Sequence, residues 1–231
     1  DTPVDEPTIE PRANEEEIEF LLTHAARYLT KDPDRSDVLS VFAGLRPLVS
    51  TGEAGSTAEI SRDHTLLVSE SGLVTLTGGK WTTYRKMGQD AVDQAAVVAG
   101  LDVRPSRTEQ LRLHGWIKDS EARAGELEEY GSDAPAIERL MQEDPALAEP
   151  MHENLPYVPA EIVWAARNEM ARTVEDVLAR RTRALLLDAR ASMQIAPAVA
   201  DLMARELGRK KAWAREQAET YRSLAAEYLL V

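Results

Sequence analysis

The sequence contains no cysteine. Disulfides, thiolate metal sites and cysteine nucleophiles are thereby excluded, and the composition fits a reducing compartment. No apolar run approaches the roughly 20 residues that a membrane-spanning helix needs. The opening stretch DTPVDEPTIEPRANEEE is acidic and proline-rich, unlike a basic signal sequence, and it lacks a start methionine. The chain is therefore expected to be a processed product or an excised piece. Positive charge is in deficit: 27 lysines and arginines face 40 aspartates and glutamates, a formal net charge of −13. That balance argues against a general nucleic-acid surface, because phosphates would be repelled. No two histidines stand at metal-ligand spacing, so no metal is expected. What is present is ordinary for a globular protein: 43% hydrophobic and 29% charged residues over 231 positions, enough for one large or two modest domains.

After a proline-rich lead-in, Asn14 and Glu17 have the spacing of a capping box. Ile18, Leu21, Leu22, Ala25 and Leu29 then recur at helical intervals, predicting a helix over 15–30 that KDPDRSD breaks. VLSVFAGLRPLV (38–49) is apolar and β-branched and predicts a buried strand ending at Arg46-Pro47. Beyond the loop STGEAGST, short strands are expected near 58–61, 64–69 and 73–77. From Thr83 to Ala99 the period is helical, with Tyr84, Met87, Ala91, Ala95 and Val98 in one stripe and Gly100 as the stop. LDVRPSRTEQLRLHGW reads as an extended connector, after which almost only helical periodicity remains. The candidate helices are 119–129, 134–142, 144–152, 159–171, 174–190, 197–207 and 209–229. The expected architecture is an α+β segment over residues 1–105, with short antiparallel strands, followed by an all-α domain over 106–231; the whole is mainly helical.

One stretch concentrates features that weaken regular structure. LTGGKWTTYRKM (76–87) ends a strand in Gly78 and Gly79, presents Lys80, and opens a helix with Thr82 and Thr83. Glycine weakens strands and threonine is a poor helix former. Such a segment suits close approach of backbone to a ligand, with helix N–H groups and a lysine charge directed at an electron-rich group. A tight turn bearing a surface lysine is the simpler alternative. Arg46, rigidly placed before a proline, and Arg62, at the start of a short strand, could grip a phosphate or carboxylate with their planar forks. Structural ion pairs, with Asp63 or Glu59 for instance, are the favoured explanation of these arginines taken by themselves. His64 reads as a hydrogen-bonded packing residue rather than a proton carrier. Arg181 falls on an apolar helix face and needs a partner; Glu169, Glu175 and Asp188 are within sequence reach.

Taken together, DVLSVFAGLRPLV, EISRDH, ESGLVTLTGGKWTTYRKM, LHGW, YGSDAPAI and EMARTVEDVLARRTRALLLDARA resemble the FAD-dependent, quinone-linked glycerol-3-phosphate dehydrogenases over residues 14–207. The resemblance implies oxidation of glycerol 3-phosphate to dihydroxyacetone phosphate, with FAD as cofactor and quinone as electron acceptor. It makes Lys80 the cation beside the reacting carbon, Arg46 and Arg62 the substrate-holding arginines, and Gly78, Gly79, Thr82 and Thr83 the turn facing the flavin. No GxGxxG phosphate loop occurs here, so residues 1–105 would be the end of the substrate and FAD region. The general base would lie outside this chain, and the chain alone would be inactive and would not retain FAD. The family setting implies a cytoplasmic protein with room for a peripheral contact at the inner membrane and for a homo-oligomer. A second reading makes the helical part a non-catalytic interaction module, its last helix offering Trp213, Tyr221 and Leu224 to a partner.

Overall fold

The structure, a computed structural model, describes residues 2, 4, 6–45, 63–118, 125 and 127–230. The chain divides into two compact units, Asp1–Ile9 with Gly44–Leu113 and Glu10–Ala43 with His114–Val231. The division at Leu113 lies past the change of periodicity near residue 105, and residues 10–43 belong with the helical unit.

In the first unit, β1 (His64–Val68) pairs antiparallel with β2 (Val74–Gly78), in register from His64 opposite Gly78 to Val68 opposite Val74. Gly72, at φ +83°, turns the hairpin. Helix α2 (Tyr84–Val98) packs against both strands and ends where Gly100, at φ +65°, lets Leu101 N–H reach the Ala96 carbonyl. No described residue of this unit is buried. Leu67, Leu73, Trp81, Val92, Leu111 and Leu113 are all more than half exposed.

The second unit holds the core. Helix α1 (Glu15–Ala25) starts at the expected box: Glu17 N–H donates to Asn14 Oδ1 at 2.8 Å and Asn14 N–H to Glu17 Oε2 at 3.2 Å. Helices α3 (Ala134–Glu143), α4 (Pro159–Asn168), α5 (Ala184–Leu187), α6 (Ala189–Glu206) and α7 (Lys211–Ala226) follow. Ile162, Val163, Val174, Leu178, Leu185 and Met203 are buried at their centre. Buried alanines on α6 (Ala196, Ala200, Ala204) and α7 (Ala214, Ala218, Ala225) let these two helices approach closely. Tyr221, buried in that seam, donates its hydroxyl to Ser192 Oγ at 2.9 Å. The apolar face of α7 is thus spent on the chain's own core: Trp213 packs on it and Leu224 is half-buried.

Three expectations are corrected. Within 38–45 there is no strand; Leu39, Phe42 and Leu45 are exposed. This segment serves helix ends one group at a time: Leu39 O accepts from Ala189 N–H (3.2 Å), Ser40 Oγ donates to Leu185 O (2.8 Å), and Val41 N–H donates to Tyr228 O (2.8 Å). The helix expected over 144–152 is a single 3-10 turn, Pro145–Leu147, because Asp144 caps it tightly and Pro150 cannot continue it. The helix expected over 174–190 is divided. A π-helical turn, Asp176–Arg181, is followed by Arg183 at φ +57°, the short α5, and Asp188, whose carboxylate caps α6 through Ala191 N–H at 2.9 Å. Thr182, buried, donates its hydroxyl to Val177 O at 3.0 Å and so competes with helical pairing at the break.

The HGW of LHGW (114–116) and YGSDAPAI meet in this unit. Ser132 N–H donates to Gly115 O at 3.0 Å, and His114 Nε2 lies 2.6 Å from Asp133 Oδ2. Gly131 has φ +51°, and a Cβ there would fall 1.9 Å from Gly115 O, so no other residue fits the crossing.

Candidate functional site

Strand β2 runs out at Gly78. Gly78 and Gly79 take left-handed φ angles of +75° and +81°, which turn the chain sharply at low steric cost only for glycine. Lys80 follows in extended conformation and starts a 3-10 turn, Trp81–Thr83, that runs directly into α2. Thr83 closes this turn on itself: its Oγ1 accepts from Lys80 N–H at 3.1 Å and donates to Lys80 O at 2.9 Å. A threonine at a helix start commonly caps the helix ahead of it. Thr83 instead reaches back, and the Thr82 side chain is exposed. The N–H groups of Trp81 and Thr82, at the start of the 3-10 turn, have no acceptor among the described residues.

Beneath the turn lies packing that the sequence did not announce. A Cβ on Gly79 would sit 2.5 Å from Met87 Sδ, 2.9 Å from Met87 Cε and 3.3 Å from His64 Cβ. The space that glycine leaves is therefore filled on this side by the chain's own residues. His64 Nε2 lies 2.9 Å from Asp90 Oδ2, and Lys86 pairs with the other oxygen of Asp90. The Lys86 ammonium, joined by His64, holds the Asp90 carboxyl below its ordinary value. His64 is thus the hydrogen-bonded packing residue its isolation suggested. Periodicity marked Met87 only as part of a stripe and passed over Asp90, although the Lys86–Asp90 spacing of four was a readable signal.

Lys80 is exposed and has no carboxylate partner among the described residues. Beside it Trp81, 88% exposed, stacks on Tyr84 with ring centroids 5.8 Å apart. Arg46 and Arg62 lie outside the described residues, as does the strand expected at 58–61. A separate groove of about 720 Å³ opens between α2 and the connector, lined among others by Tyr84, Gly88, Val92, Arg104 and Arg107; Lys80 is not part of it. Arg85 also lines it, its guanidinium donating to Gln89 Oε1 and Thr108 Oγ1, each at 3.1 Å. Arg181 has the expected carboxylate neighbour: its guanidinium donates to Glu169 O and lies 3.8 Å from Glu169 Oε2.

Comparison with known proteins follows the same residues. A family model described as the C-terminal domain of alpha-glycerophosphate oxidase matches residues 73–217, taking in β2, the glycine–lysine turn and most of the helical unit. The mitochondrial glycerol-3-phosphate dehydrogenase of Mus musculus is 35% identical over 95% of this chain and 33% of its own length; that of Homo sapiens is 35% identical over 96% and 33%. The chain therefore spans about a third of the length of these curated relatives. The crystal structure of the glycerol-3-phosphate dehydrogenase from Bacillus halodurans, complexed with FAD, superposes with a TM-score of 0.74 over 98% of this chain and 48% of that one. At 24% identity, that likeness is one of fold. Since the family model covers more than half of the chain, this protein belongs to the family of the C-terminal domain of alpha-glycerophosphate oxidase.

Proposed function

We propose that the chain is the carboxy-terminal part of an FAD-dependent dehydrogenase that oxidises sn-glycerol 3-phosphate to dihydroxyacetone phosphate, with quinone as the final electron acceptor. The observation that carries this is the turn itself. It presents a lysine ammonium together with the N–H groups of Trp81 and Thr82, none of which has a partner among the described residues. Three adjacent donors at a helix start fit an acceptor that gains negative charge. Gly78, Gly79, Thr82 and Thr83 would hold the edge of the flavin ring, where the partial positive charge of the helix start favours electron-rich oxygen. FAD, when bound, supplies the acceptor for a hydride from the substrate. Lys80 stabilises charge developing on the substrate oxygen, and Arg46 and Arg62 grip the phosphate.

This chain by itself is expected neither to oxidise glycerol 3-phosphate nor to hold FAD tightly. It carries no GxGxxG loop to anchor a pyrophosphate, and the unit bearing Lys80 buries none of its described residues. Purified chain with a stoichiometric flavin spectrum would contradict that. None of the helices among the described residues is long and apolar enough to cross a membrane; contact with a membrane would be peripheral, in a cytoplasmic protein, and self-association is compatible with the reading. The interaction-module alternative is weakened by α7, whose apolar face is already covered.

The test is made in an enzyme that carries this chain as its carboxy-terminal part. Lys80→Ala should lower kcat by about a hundredfold or more with little change in KM, because the charge it meets appears only in the transition state. Arg46→Ala and Arg62→Ala should act mainly on KM and matter little when glycerol replaces its phosphate. A kcat within about twofold of wild type after Lys80→Ala would reduce the lysine to a turn residue.

A further inference from the structure

We propose that His64, Asp90 and Met87 are positioning residues, holding the Gly79 turn from below and through it the backbone of Lys80; the inference rests on the role proposed above for Lys80. The contacts form one continuous chain. His64 stands opposite Gly78 on the last rung of the β1–β2 ladder, and its ring reaches across to Asp90 on α2, 2.9 Å away. The strand end is thereby tied to the helix that the turn introduces. Met87 comes up from the same helix into the place where a Cβ of residue 79 would be, with His64 Cβ flanking it. Its sulfur also lies 3.5 Å from Thr83 Oγ1, the oxygen that both accepts from and donates to the Lys80 backbone.

Lys80 depends on this support. Its side chain has no partner among the described residues, so its placement is inherited from the backbone of the turn. The surrounding unit has no buried described residue to supply a second floor. A cation that acts on developing charge must be held within hydrogen-bond reach, and a small displacement of such a group is costly. Asp90 completes the device because it fixes His64 while Lys86 occupies its other oxygen.

Amide hydrogen exchange of this chain tests the placement directly. Lys80 N–H and Thr83 N–H are both bonded inside the turn, to Thr83 Oγ1 and Lys80 O. His64→Ala and Met87→Ala should each speed their exchange by about tenfold or more, while amides of α6 stay protected and certify the fold. Met87→Leu, which keeps the volume, should return exchange to the wild-type rate. In the longer enzyme the same two alanine variants should lower kcat by about tenfold with KM nearly unchanged. Against Lys80→Ala they should cost nothing further, because they act through that lysine. Unchanged exchange and kcat, beside a severe Lys80→Ala loss, would overturn this inference and leave the proposed function standing. An undiminished loss on the Lys80→Ala background would overturn it as well. A harmless Lys80→Ala would overturn both.

Discussion

The carbonyl of Met193 lies inside α6, yet it takes a hydrogen bond from α7. Pro197, four residues on, has no N–H to offer it, and Arg222 Nε supplies the missing donor at 3.0 Å. The proline is thus tolerated mid-helix because a neighbouring side chain does the work of its absent N–H. Arg222→Met should destabilise the chain by about 1 kcal/mol, the usual net worth of one such bond. With Pro197→Ala, residue 197 regains its N–H, and the same Arg222 change should then cost almost nothing. A double-mutant cycle in chemical denaturation reads the difference, and equal losses on both backgrounds would dissociate the arginine from the proline. Legibility in the sequence differed residue by residue for the same physical reason. Gly78, Gly79 and Lys80 were visible because backbone freedom and a charge leave local signals. Met87 and Asp90 were not, because their roles arise from where β1 happens to lie against α2. Arg181 announced its need for a partner, and Glu169 met it.

Among the elements, those with a strong local signal formed where periodicity put them: β1, β2, α2, α4 and α7. The stretch 173–188 did not, since Thr182 and Asp188 fit a helical stripe by spacing and break the helix by hydrogen bonding. VLSVFAG failed for a related reason, its described part finding helix ends rather than a sheet to pair with. The start of the π-helical turn gives a prediction with a sign. Burial pushes the Asp176 carboxyl up, but the N–H groups of Arg172 and Thr173, the Thr173 hydroxyl and Arg180 outweigh it and hold the group below its ordinary value of 3.8. The unfolded chain therefore takes up the proton first as pH falls. Stability from this cap is fully present above the ordinary value and is lost as pH drops through it toward the folded one. Asp176→Ala should cost about 1 kcal/mol near neutral pH. The gap between variant and wild type should narrow at about pH 3. Thermal melts at both pH values decide it, and a gap that stays constant would show that the carboxylate charge is not what the cap uses.

At the scale of the whole molecule, the two units differ in what holds them. The helical unit contains the buried cluster from Leu155 to Ala225, whereas the hairpin unit with α2 contains no buried described residue. Amide exchange should accordingly fall into two tiers, faster but still measurable in β1, β2 and α2 than in α4, α6 and α7, because exchange tracks the cooperative burial of the segment that must open. The same contrast bears on independent folding. We expect residues 106–231 to fold alone, since every residue of the buried cluster lies within them. They would do so at a disadvantage, because residues 10–43 contribute more bonds than core. Only Ile18 of that segment is buried, yet Leu39 O satisfies Ala189 N–H at the start of α6, and Val41 N–H satisfies Tyr228 O beyond α7. Exposing those groups to water replaces each bond rather than abolishing it, so the net loss is a small multiple of the ~1 kcal/mol typical of one bond. For a domain of this size that lowers the midpoint by about 5 °C without destroying cooperativity. Circular dichroism melts of 106–231 beside the whole chain measure both quantities. A broad, non-cooperative transition in the shorter chain would show that the helical unit owes its fold, and not merely a few degrees, to the segment before it.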